Sequence, residues 1–169
     1  MQDSFATWLN EGLVLYHGSQ EQFSEPQLNN DGILWLAYNP ENAIPYGKKY
    51  WKPQHGHLWK VELESTAKIL DLRDLKNQPS EEELELVRQI KKMVSDTRET
   101  NIGYAISDDR WAEWADFGLL EAYPWIRKRL MSHNVDGATV NDQQHIYKHP
   151  SVALFNLKAI KKTHQEPLV

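Results

Sequence analysis

Residues 33–46, with the sequence ILWLAYNPENAIPY, pass from a strand pattern to a helix pattern without a loop between them. The apolar and aromatic first part is typical of a strand, whereas Asn39 and Pro40 are residue types favoured at the cap and first position of a helix. Such a helix would bring Tyr46 back beside Trp35, with rings on two sides of a slot that suits a flat heteroaromatic ligand. Taken alone, these rings fit a packed core at least as well.

Short strands and helices follow one another along the rest of the chain. Strand patterns occupy residues 13–16, 57–63, 68–72, 138–140 and 152–156. Helical patterns occupy residues 4–12 and most of residues 80–133, where Ser80 and Glu83 form a capping box. Because the strands lack the regular spacing of βαβ units, we predict an α+β fold with a mainly antiparallel sheet and a helical insertion over about residues 80–133.

The composition restricts the class of protein. A chain of 169 residues suits a single domain, which we place over residues 1–169. The chain has 0 Cys, which excludes disulfides, thiolate nucleophiles and Cys-based metal sites. A formal net charge of -5 disfavours a nucleic-acid-binding protein of the usual basic kind. The apolar stretches are far shorter than the roughly 20 residues of a membrane helix, and no signal peptide is evident, so we expect a cytoplasmic protein without a membrane segment.

The first of these strands ends in a group of polar residues. His17, Gly18 and Ser19 follow its apolar part. Gly18 would let a ligand approach the backbone closely, while His17 and Ser19 carry groups that can hydrogen-bond a ribose or an amide. A capped strand end with a hydrogen-bonded His has the same sequence pattern.

Near the end of the chain, an acidic residue lies between two predicted strands. Asp136 and Gly137 predict a turn, Asp142 comes just past the strand that follows, and Ser151 opens the last strand after a polar loop over residues 141–150. One carboxylate and one hydroxyl would therefore flank this loop. An ordinary surface hairpin has the same pattern.

The usual fingerprints of metal, nucleotide and hydrolase sites are missing from the sequence. The pair His55 and His57 lacks a nearby third ligand, and the pair His145 and His149 falls in a predicted loop rather than on a helix. No GxGxxG, GxxxxGK[ST], HExxH or GxSxG pattern occurs. We therefore predict no metal site.

The order of these segments resembles the ADP-ribosyltransferase fold of the diphtheria-toxin and poly(ADP-ribose) polymerase type. Residues 16–19, YHGS, are similar to the His motif of that family, and Trp35 and Tyr46 fall where two tyrosines flank the nicotinamide in the toxin branch. The Asp136-Gly137 turn followed by residues 151–155 is similar to the end of small bacterial and phage members, including anti-CRISPR transferases. The resemblance implies a split antiparallel sheet.

The same resemblance, which covers residues 15–160, implies an activity. The protein would cleave the nicotinamide–ribose bond of NAD, its co-substrate, and transfer ADP-ribose to a protein acceptor; a nucleic-acid acceptor suits the acidic chain less well. It would be an effector-like protein that acts in the cytoplasm of its own or a host cell. An NAD glycohydrolase, with water as acceptor, and a catalytically inactive binding or inhibitory module are the alternatives.

The resemblance also implies roles for individual residues. His17 would hold the adenosine-side ribose, Gly18 would hold the carboxamide through its backbone, and Tyr46 would stack on the nicotinamide with Trp35 beneath or beside it. Ser19 and Tyr38 complete the predicted cofactor-binding set.

One position departs from the family pattern. A Glu usually opens the last strand, where this chain has Ser151, and a serine cannot supply the negative charge that stabilises the cation formed as nicotinamide leaves. In some small phage relatives an Asp lies just after the preceding strand. Asp142 matches that placement, so we predict Asp142 as the catalytic acid, with Ser151 and His17 as further catalytic-site residues.

Overall fold

The strands form one sheet in the computed structural model, which describes residues 13–20, 25–48, 56–102, 106–142 and 149–168. In these ranges the strands are β1 (Val14–Ser19), β2 (Leu34–Ala37), β3 (His57–Leu63), β4 (Ile69–Asp71), β5 (Gly137–Asp142), β6 (His149–Leu154) and β7 (Ile160–Pro167). Their order in the sheet is β4-β5-β6-β2-β1-β3-β7. Only the β4–β5 pair among these strands is parallel.

Most of the helices lie between β4 and β5 in the order of the chain. They are α1 (Pro40–Gly47), α2 (Glu81–Ile102), α3 (Trp111–Trp114), α4 (Phe117–Ala122) and α5 (Pro124–Ser132), with 3-10 turns at Asp108–Arg110 and Leu157–Ala159. The prediction of an α+β fold with a mainly antiparallel sheet is confirmed. The predicted helix over residues 4–12 lies outside the described residues, and the domain limits 1–169 stay a prediction. None of the described helices combines the length and apolar character needed to cross a bilayer.

The sheet is weakly joined at its centre. Strands β1 and β2 pair at the single position Tyr16↔Ala37. By contrast, β1 pairs with β3 from Val14↔Glu62 to Ser19↔His57. The ends of β1 and β2 therefore diverge, and this divergence leaves room for the cavity described below.

Two apolar clusters cover the two faces of the sheet. Because successive side chains of a strand point to opposite faces, Leu34 and Leu36 belong to one cluster while Trp35 packs against the other. The helices cover the Trp35 face, where Trp111 is fully buried. Its indole Nε1 donates a hydrogen bond to the Leu72 carbonyl oxygen at 2.6 Å. This contact ties the helical region to the β4 edge of the sheet.

Helix α2 begins as the sequence predicts, but only half of the capping box forms. The Ser80 hydroxyl accepts a hydrogen bond from the Glu83 backbone N–H at 3.2 Å. The Glu83 carboxylate instead pairs with Lys68 Nζ at 2.6 Å. Farther along the helix, Val87, Ile90 and Val94 are buried at the predicted helical spacing.

The predicted loop over residues 141–150 is wrong at both of its ends. The β5–β6 pairing continues through Asn141↔Pro150 to Asp142↔His149, so Asp142 is the last residue of β5 and lies within the strand. Strand β6 begins at His149, so Ser151 is its third residue and does not open it as predicted. The sequence pattern did not show this extension because the side chains concerned are polar. Backbone pairing with β6 is what keeps them in the sheet.

Strand β7 was not predicted. Its residues are half-buried or exposed along the whole strand, so no alternation of polar and apolar residues marks it. It is an edge strand that pairs with β3 from Leu63↔Ile160 to His57↔Pro167. Lys161 and Lys162 lie on it, and charged residues of this kind are typical of protected sheet edges.

Candidate active site

A cavity of about 180 Å³ opens between helices α1 and α4 and the neighbouring ends of β1, β2, β5 and β6. Most of its wall is apolar or aromatic, with a few polar groups among the apolar ones. The residues that line it are Tyr16, His17, Gly18, Trp35, Leu36, Ala37, Asn42, Ala43, Tyr46, Phe117, Glu121, Asp142, His149 and Ser151. The cavity is partly open to the surface, so a bound ligand can extend beyond it.

Gly18 is needed because α1 packs directly on β1. A Cβ atom built on Gly18 would overlap the Ala43 carbonyl oxygen and lie 2.9 Å from the Gly47 nitrogen. The close approach that the sequence predicts for a ligand is thus made by the protein's own helix. The Gly18 backbone still lines the cavity, beside the side chains that α1 brings over the strand.

The His17 imidazole is held in one orientation. Its Nδ1 lies 2.8 Å from the Trp35 carbonyl oxygen, and because a carbonyl can only accept, Nδ1 carries the proton and donates. Burial lowers the pKa of His17 below its ordinary value of 6.5, and the hydrogen bond to Trp35 offsets only part of this shift. At neutral pH the ring is therefore uncharged, and its Nε2 is a hydrogen-bond acceptor.

Tyr46 brings a ring and a hydroxyl to the cavity from α1. Its side chain is 40% exposed, and its hydroxyl donates to Asp142 Oδ2 at 3.0 Å. Burial and the Asp142 charge and hydrogen bond raise the pKa of Tyr46 above its ordinary value. The phenol is therefore protonated at neutral pH, and its hydrogen bond holds the Asp142 carboxylate in place.

Asp142 and His149 form a buried pair at the end of the β5–β6 ladder. They are partners in the strand register, and His149 Nε2 lies 3.8 Å from Asp142 Oδ2. Both residues are less than 10% exposed, and both line the cavity. Ser151, two residues farther along β6, also lines it and is 4% exposed. The sequence showed His149 only as half of a spaced His pair, without any link to Asp142.

Helix α4 supplies a wall that the sequence gave no reason to expect. Phe117 and Glu121 reach the cavity from this helix. Burial raises the pKa of Glu121 above its ordinary value, and the negative charges of Asp31, Asp116 and Asp142 add to the shift. No local pattern distinguishes these two side chains from the rest of the helical region.

The structure brings together six of the eight predicted site residues, namely His17, Gly18, Trp35, Tyr46, Asp142 and Ser151. The other two do not line the cavity. The Tyr38 hydroxyl lies 2.7 Å from Thr139 Oγ1, and its ring packs against the apolar cluster on the opposite face of the sheet. Ser19 is buried at the β1–β3 pairing, opposite His57. Tyr38 follows the last residue of β2 and packs against the cluster that contains Leu34 and Leu36, so its ring is not available to the cavity.

The comparisons with known proteins found no matching family model, no matching curated protein and no matching solved structure. In the part of the chain that the structure describes, no three His, Asp or Glu side chains are grouped so as to hold a metal ion.

Proposed function

We propose that the protein is a mono-ADP-ribosyltransferase that cleaves NAD at the nicotinamide–ribose bond and transfers ADP-ribose to a protein acceptor. The observation that carries this proposal is the cavity itself. It joins residues of three separate segments of the sequence that the order of the motifs predicts as one set, namely His17, Trp35 with Tyr46, and Asp142. Residues that were merely part of an apolar core would have no reason to line the same cavity.

The sheet supports an ADP-ribosyltransferase-like core. A split antiparallel sheet needs a point at which its two halves separate, and the single paired position between β1 and β2 is such a point. The His motif lies on β1 and the aromatic motif begins on β2, so both flank this separation. The helices that follow β4 add a wall to the cavity through Phe117 and Glu121.

The chemistry of the cavity suits the departure of nicotinamide. Nicotinamide leaves as a neutral molecule, so the site must hold the ring, exclude water and stabilise positive charge on the ribose. Tyr46 and Trp35 supply ring faces, and Asp142 supplies a carboxylate that is buried and oriented by the Tyr46 hydroxyl. Ser151, at the usual position of the family's Glu, lies on the neighbouring strand within the same cavity.

Release of nicotinamide from NAD by the purified protein tests the proposal. We expect turnover that is faster when a lysate containing the acceptor is present, with ADP-ribose attached to a protein. Turnover to free ADP-ribose alone would indicate the glycohydrolase, which uses the same cavity with water as acceptor. NAD binding without any nicotinamide release would indicate an inactive binding module.

The first prediction concerns His17. The neutral Nε2 of His17 can accept a hydrogen bond from a ribose hydroxyl. His17→Ala should therefore weaken NAD binding by about 1 to 3 kcal/mol, the cost of losing one buried hydrogen bond. Because the His17 pKa lies below 6.5, affinity in the parent should be constant around neutral pH and fall only below pH 6.5, where the ring gains a proton. Calorimetry at several pH values measures both effects. Ser19→Ala, outside the cavity, is the control, and equal loss in both variants would contradict the assignment.

The second prediction concerns Tyr46. Tyr46→Phe keeps the stacking face but removes the hydrogen bond to Asp142, so turnover should fall about 10-fold, in line with about 1.5 kcal/mol for a bond to a charged group. Tyr46→Ala should lose more, because the ring face is lost as well. Steady-state nicotinamide release measures both variants. Tyr38→Phe removes a hydroxyl bonded to Thr139 on the opposite face and should leave turnover unchanged.

A further inference from the structure

The cavity contains an imidazole for which cleavage of NAD alone has no use. His149 opens β6, faces Asp142 across the strand pair and is 9% exposed. Loss of neutral nicotinamide requires no proton transfer, and the carboxylate that stabilises the ribose cation must stay ionised. A second titratable group beside that carboxylate therefore points to the next step, the attack of the acceptor.

We propose that His149 is the general base that takes the proton from a hydroxyl acceptor, so that the acceptor class is an alcohol side chain or water. This inference rests on the proposed function. Imidazole is the side chain best suited to exchange protons near neutral pH. Asp142 Oδ2, 3.8 Å from His149 Nε2, stabilises the imidazolium that forms.

Transfer to the acceptor breaks one bond of the ribose anomeric carbon and forms another. The bond between the ribose anomeric carbon and the nicotinamide nitrogen breaks, and its electron pair neutralises the pyridinium. A lone pair of the acceptor oxygen forms the new bond to the anomeric carbon. The proton of that oxygen passes to His149 and later to solvent. The products are nicotinamide, the ADP-ribosylated oxygen and one proton.

The other titratable groups of the cavity suit this step less well. The Tyr46 hydroxyl is protonated and donates its hydrogen bond to Asp142. The His17 ring approaches from β1, and its hydrogen bond to the Trp35 carbonyl oxygen sets its orientation. Glu121 approaches from α4, but it is a carboxylate rather than an imidazole, and it lies near the negative charges of three other acids. Of these groups, only His149 combines burial, an imidazole and a position next to the carboxylate that would receive the positive charge.

The test uses His149→Gln, which keeps a polar side chain but cannot take up a proton. The probes are water, methanol as a small alcohol, agmatine as a guanidinium nucleophile and azide as a nucleophile without a proton to lose. We expect the parent to release nicotinamide and to form the methanol adduct. His149→Gln should reduce both the water and the methanol reactions about 100-fold with little change in KM for NAD.

Azide distinguishes a lost base from a damaged site. Because azide needs no base, it should restore nicotinamide release in His149→Gln to near the parent rate, which also shows that the variant is folded. His149→Asn serves as the second variant, and His164→Gln, which removes an exposed imidazole on β7 outside the cavity, is the matched control. The control should keep most of the water and methanol reactions.

Three results would overturn the inference while leaving the proposed function intact. These are parent-like water and methanol reactions in His149→Gln, a 100-fold loss that azide does not restore, and preferred formation of the agmatine adduct by the parent. A parent that releases no nicotinamide with any of the four probes contradicts the proposed function, and this inference with it.

Discussion

Asp142→Asn should lower NAD turnover by about 100-fold or more while leaving NAD binding and folding largely intact. The substitution removes the negative charge but keeps the shape of the side chain. The amide oxygen of the new side chain can still accept a hydrogen bond from the Tyr46 hydroxyl. A buried carboxylate beside the ribose stabilises the cation as nicotinamide leaves, and an amide does so much less. Nicotinamide release at saturating NAD measures the effect, with calorimetry for binding.

Ser151→Ala is the matched control for this prediction. Ser151 lines the same cavity and is about as buried as Asp142, but it carries no charge. Ser151→Ala should therefore reduce the rate of NAD turnover less than Asp142→Asn does. Thermal unfolding of both variants separates a catalytic defect from a folding defect. Parent-like turnover in Asp142→Asn would show that another group stabilises the cation.

Trp111→Ala should destabilise the protein by about 3 to 5 kcal/mol, the usual cost of truncating a fully buried Trp. The substitution empties a large volume between the helices and the sheet, and it removes the hydrogen bond to the Leu72 carbonyl. Urea unfolding measures the free energy. Because Trp111 does not line the cavity, turnover of the folded fraction at low temperature should stay near the parent value.

Two further variants define the cause of this loss. Trp111→Phe keeps an aromatic ring and should cost less than Trp111→Ala. Trp125→Ala, in the same helical region but only half-buried, should also cost less. If Trp125→Ala were the more damaging of the two alanine variants, Trp111 would not be the residue that holds the helices to the sheet.

The sequence by itself determined the α+β class and the position of most elements. Local signals mark these elements, because strand and helix preferences depend on neighbours within a few positions. They are the polar–apolar alternation in residues 57–63, the Asn39–Pro40 start of α1 and the spacing of buried residues in α2. The order of short motifs also selected His17, Trp35, Tyr46 and Asp142 as one set. Their roles toward NAD stay predictions.

Only the tertiary structure decided which of those residues share a cavity and what they touch. The Tyr46–Asp142 hydrogen bond and the approach of Glu121 from α4 join segments that are distant in sequence, so no local pattern encodes them. Strand pairing likewise carried Asp142 into β5 and brought His149 opposite it, although their side chains are polar. Backbone hydrogen bonds between strands do not depend on side-chain polarity, and for that reason the acid–imidazole pair was visible only after folding.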